Sequence, residues 1–110
     1  MPALDVNDLV QKMFGAGGAA FKEHWPAVQR FASVELQKIA TQLADIERGV
    51  LAGDYSREVA DALYRMQKIA SANVFLAMSG MTLLAVEAAI NAVLGVIRDT
   101  VNTAIGFVLI

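Results

Sequence analysis

Residues 69–97 read IASANVFLAMSGMTLLAVEAAINAVLGVI, 29 positions between Lys68 and Arg98 with a single charged side chain, Glu87. A helix of that length in water ordinarily shows a polar face, and this stretch has almost none. It needs cover from other helices, from other copies of the chain, or from lipid. A second apolar run, Val101 to Ile110, follows it.

Working outward, Val59, Ala62, Met66, Ile69, Asn73, Leu76, Gly80, Leu83, Glu87, Ile90, Leu94, Ile97, Val101, Ala104 and Val108 keep a 3.5-residue step. No proline interrupts them, so one long apolar helix is expected over about 56–109. Such a helix would be about 75 Å long at the α-helical rise. Before it, Gly53-Asp-Tyr-Ser56 is the clearest break: Gly53 suits a helix end, Asp54 or Ser56 a cap, and Glu58 the first turn. A connection this short (53–55) predicts a sharp reversal onto an antiparallel partner.

That partner is a helix over about 19–52. Phe21, Trp25, Val28, Ala32, Leu36, Ile39, Leu43, Ile46 and Val50 form its seam, with one extra residue slipped in between Ala32 and Leu36. Gln29, Arg30, Gln37, Lys38, Asp45 and Glu47 fall on the other faces, and Pro26 is expected in the first turn. Upstream, residues 1–18 hold a short helix, Val6 to Phe14, capped by Asp5 or Asn7 and ended by Gly15-Ala-Gly-Gly18. The fold class expected is therefore all-α: a long antiparallel helical hairpin with a short N-terminal helix, assembling into a homo-oligomeric bundle or ring. The Val-Ile-rich runs near Val93 and Gly106 lack a hairpin turn or a partner run, so no strand is expected.

Bulk properties narrow the function. At 110 residues the chain is one domain with a small core. Its hydrophobic fraction of 56% is above the soluble norm of about 45–50%. A net charge of −2, with the nine Lys and Arg spread among acids, gives no basic stripe, so nucleic acid is not an expected partner. Cysteine is absent, which excludes disulfides and thiolate metal sites. The acidic start, Met1 to Asp8, lacks the basic region of a secretory signal.

Among single residues Glu87 stands out. A carboxylate near the middle of an apolar helix faces a protein or water-filled interior; reflecting the hairpin about Gly53 brings it within a turn of Lys22, so a buried Glu87–Lys22 charge pair is expected. Ala85, Ala88, Ala89, Ala92 and Gly95 form a band of small side chains that lets helices approach closely, in an oligomer or against Phe21 or Trp25 of the same chain. His24 is the only histidine, and Lys22-Glu23-His24 does not give the Glu-x-x-His spacing of a di-iron bundle; no metal, cofactor or catalytic residue is assigned. The glycines at 15–18 lack the Lys-Ser/Thr ending of a phosphate loop. Met13, Met66, Met78 and Met81 read as core filler or as an adaptable surface.

These features predict a non-enzymatic, self-assembling structural protein. Membrane association is expected, as a building block of a pore, channel, virion or injection-type assembly, with lipid and further copies of itself as partners. Spanning is marginal, because Glu87 offsets most of the insertion gain of the nearby Leu and Ile side chains. The alternative is a cytoplasmic homo-oligomeric helical bundle acting as an adaptor or binding module.

Overall fold

Asp5 opens the first helix: its carboxylate accepts the Asp8 backbone N–H at 3.2 Å, satisfying a donor that the first turn leaves without a carbonyl. The structure, a computed structural model, describes residues 4–110. Helix α1 (Val6–Phe21) runs straight through the glycines expected to end it. Packing explains the difference. Trp25 lays its benzo ring against Gly17 and its pyrrole edge near Gly18, so a side chain at 17 would collide with the indole. The stop falls at Lys22, whose φ of 54° is the one positive value on a non-glycine among the described residues. A 3-10 turn (Lys22–His24) leads into α2 (Trp25–Leu51), with Pro26 in its first turn as expected.

The break at Gly53 also forms where the sequence places it. Ser56 Oγ accepts the Val59 N–H at 3.1 Å and starts α3 (Arg57–Ser79), with Glu58 in its first turn. Helices α2 and α3 pack against each other more extensively than any other pair.

The single helix expected over 56–109 does not form. Helix α3 ends at Ser79, Gly80 turns left-handed with φ 74°, and Thr82 caps α4 (Leu83–Gly95) by accepting the Ala85 N–H at 3.2 Å. After Val96 and Ile97 the chain re-forms as α5 (Arg98–Ile105). The cause is local and cheap: glycine enters the left-handed region without a Cβ penalty, and threonine supplies the acceptor that a new helix start needs. Helix α4 then folds onto α1 and buries Val86, Ala89, Ile90, Val93 and Leu94. Helix α5 packs on α2 with Val101 and Ile105 inside. Much of the apolar carboxy-terminal half is thus covered by other helices of its own polypeptide, which an uninterrupted helix over 56–109 would not have allowed.

The core gathers around Phe75, whose ring lies 4.9 Å from that of Phe21. The apolar tail is pinned to its own helix. Asn102 Oδ1 accepts the backbone N–H groups of Leu109 (2.8 Å) and Ile110 (3.0 Å), and Leu109 is buried. The Arg57 guanidinium sits 4.7 Å over the Phe107 ring. Every helix and turn here is all-α architecture; no strand occurs among the described residues.

No helix among the described residues is long and apolar enough to cross a membrane. Helix α4, at 13 residues, is about 20 Å long against a hydrocarbon core of about 30 Å. Helix α3 is long enough, but Arg57, Glu58, Asp61, Arg65 and Lys68 occupy its first half.

Candidate interaction surface

Helix α3 carries two apolar stripes, and the fold uses only one. Ala60, Tyr64, Ser71, Ala72 and Phe75 face the core. The 3.5-residue series legible in the sequence, Val59, Ala62, Met66, Ile69 and Asn73, faces outward. Met66 is 67% exposed and Ile69 59%. Beyond the Gly80 turn Leu83 stands across the same hollow from Ile69, and Leu84 beside it is 79% exposed. Past Glu87 the series rotates inward, so that Ile90 and Leu94 are core residues.

Between α3 and α4 lies an open hollow of about 330 Å³, lined on one wall by Arg65, Lys68, Ile69 and Asn73 and on the other by Leu83 and Glu87. Its charges are unevenly engaged. Arg65 is held by Asp61 one turn earlier on the same helix. Lys68 Nζ lies 5.9 Å over the Tyr64 ring, and neither Lys68 nor Glu87 joins an ion pair among the described residues. Burial pushes the Tyr64 phenol up to about 12, with the Arg98 charge opposing it.

The expected Glu87–Lys22 pair is therefore not seen. Both side chains are exposed, and the turn at Gly80 places Glu87 on the α3 side of α4 and Lys22 on the opposite side. The alanine band does face α1. Ala85, Ala88, Ala89 and Ala92 line a shallow groove of about 440 Å³ whose other wall includes Phe21 and Lys22. Ala89 is buried, Ala85 and Gly95 are half-buried, and Ala88 and Ala92 remain exposed. His24 lies half-buried on the same rim, 3.6 Å from Glu23. Met13 is core and Met66 belongs to the outward stripe, whereas Met78, exposed near the end of α3, follows the buried Ser71 and Phe75 side of the helix.

Two buried acids escaped the sequence reading. Glu47, placed on a wet face, is 2% exposed, and its Oε1 accepts the Leu4 backbone N–H at 2.8 Å. Its Oε2 is buried without a hydrogen-bond partner among the described residues. Glu35 is buried beside Lys38 at 3.2 Å. Both were detectable by spacing: Glu35 follows Ala32 by three and precedes Ile39 by four, and Glu47 follows Leu43 by four. Asn102 left no such signal, because an amide that caps a tail looks like any surface amide.

The class these features define is an all-α bundle with an apolar stripe left outside. No protein-family model, curated protein or solved structure matches the chain.

Proposed function

We propose that this chain is a non-enzymatic structural protein that assembles with further copies of itself through the outward face of α3 and the head of α4. The observation that supports this reading is the exposed stripe from Val59 to Ile69, continued by Leu83 and Leu84. A 3.5-residue apolar repeat is the spacing of a helix seam that expects a facing helix. Here that face of α3 is presented outward. Single exposed apolar residues need no explanation, but a periodic row of them marks an interface. A net charge of −2 offers little repulsion between copies.

Lipid is the competing cover for the same stripe, lying along a surface rather than crossing it. Sedimentation velocity in detergent-free buffer separates the two. The wild type is expected to sediment faster as its concentration rises, and Met66→Glu/Ile69→Glu is expected to stay monomeric with an unchanged melting temperature. Interface anchors of this kind carry about 2 kcal/mol or more each, so losing both should weaken association by about 700-fold. A wild type that remains monomeric up to about 1 mM, where even 4 kcal/mol of association would register, refutes the proposal. So does a monomer that floats with lipid vesicles.

A further inference from the structure

The hollow between α3 and α4 has walls of opposite sign. Its α3 wall presents Lys68 beside Ile69, and its α4 wall presents Glu87 beside Leu83. Neither charge joins an ion pair among the described residues, although both line the same hollow. A groove built this way is complementary to itself. A two-fold axis running along it lays the α4 wall of each copy over the α3 wall of the other. Each Lys68 then meets the second copy's Glu87, and each Ile69 meets the second copy's Leu83. An isologous interface has this property: if one residue meets another across it, the reverse contact follows by symmetry.

We infer that the α3–α4 groove is a two-fold dimer interface whose register is set by reciprocal Lys68–Glu87 pairs. This inference rests on the self-assembly proposed above and specifies its partner and geometry. The apolar residues supply the attraction, and the charges choose among the ways two apolar stripes might slide along each other. Exposed ion pairs add little stability, but like charges placed opposite each other at an interface are strongly rejected. Joining α3 and α4 from each copy makes a four-helix packing centred on Ile69 and Leu83.

Charge exchange tests the pairing directly. Glu87→Lys alone sets two lysines against each other in the dimer, and Lys68→Glu alone sets two glutamates. Each single variant is expected to dimerise at least about tenfold more weakly than wild type. Mixed in equal amounts, the two are expected to form a heterodimer, because every pair across the axis is then attractive. The double variant Glu87→Lys/Lys68→Glu is expected to dimerise like wild type. Both positions lie outside the core, and melting curves of the single variants check that they are folded. If the charges interacted only within one chain, the double variant would recover while the mixture would not, and that result overturns the inference. Wild-type self-association that neither single variant disturbs also overturns it, while leaving self-assembly through another register standing. A wild type that does not associate at all removes the underlying proposal with it.

Discussion

Replacing Gly80 with alanine distinguishes this fold from the uninterrupted helix that the sequence suggests, because the two demand opposite signs. In the structure Gly80 has φ 74°, and no atom stands within 4 Å of where a Cβ would be. Sterics with neighbours therefore contribute nothing, and the backbone term is isolated. An L-residue in the left-handed region costs about 1–2 kcal/mol. Alanine recovers part of this, about 0.4–1 kcal/mol, by restricting the unfolded chain. The net expected loss is about 1 kcal/mol, which for 110 residues lowers the melting temperature by about 4 °C. Were α3 and α4 one helix, the same change would remove a glycine from a helix interior and add about 1 kcal/mol of stability. Thermal unfolding followed by far-UV circular dichroism reads the difference. A melting temperature that rises for Gly80→Ala would refute the turn, and with it the packing of α4 on α1.

Two further predictions concern the interior. Because burial holds the Tyr64 phenol protonated up to about 12, the unfolded chain loses that proton first as pH rises past its ordinary value near 10. Stability from this source is whole below pH 10 and declines by about 2–3 kcal/mol by pH 12. The urea midpoint of wild type should therefore fall relative to that of Tyr64→Phe between pH 9 and about 11.5, and curves that run in parallel would contradict it; the Tyr55 phenol, raised by its hydrogen bond to Asp45, is present in both proteins and cancels. Asn102→Ala removes the acceptor that ties down the last two residues, at an expected cost of about 1–3 kcal/mol. Hydrogen exchange at the Leu109 and Ile110 amides should accelerate well before that of the core, and unchanged protection there would show that apolar burial alone holds the tail.

Local signals carried the sequence reading wherever a side chain acts on its own neighbours. Asp5, Pro26 and Ser56 begin helices where their chemistry says they should, and Gly53 ends one. The reading failed wherever distant packing decided. Gly17 looks like a helix breaker, yet a ring eight residues away makes it a contact surface. Gly80 looks like one position in a 3.5-residue seam, yet the gain from burying α4 on α1 makes it a corner. A hydrophobic period reports that a face is to be covered and is silent about which element covers it. Glu47 fails for a simpler reason: residue type assigns it to water although its spacing fits the buried seam, and Glu35, left without a place, has the same spacing.

The position of α3 explains why an apolar stripe is left outside at all. A helix that buries one face needs one apolar stripe, and α3 has two, one centred on Phe75 and the other running from Val59 through Met66 to Ile69. Such a helix is suited to the middle of a bundle, with neighbours on both sides. Among the described residues α3 packs mainly on α2 and α4, and Val59, Met66 and Ile69 stay exposed. The turn at Gly80 prevents α4 from extending α3, and α4 is instead committed to α1 by Val86, Val93 and Leu94. The Asn102 clasp likewise keeps the apolar tail on its own helix rather than free to close the gap. With its apolar segments engaged this way, the fold retains no spare element to lay on Met66 and Ile69. On the dimer inferred above, a second copy covers Ile69, since its own α3–α4 groove sets Leu83 and the opposite charge against that wall.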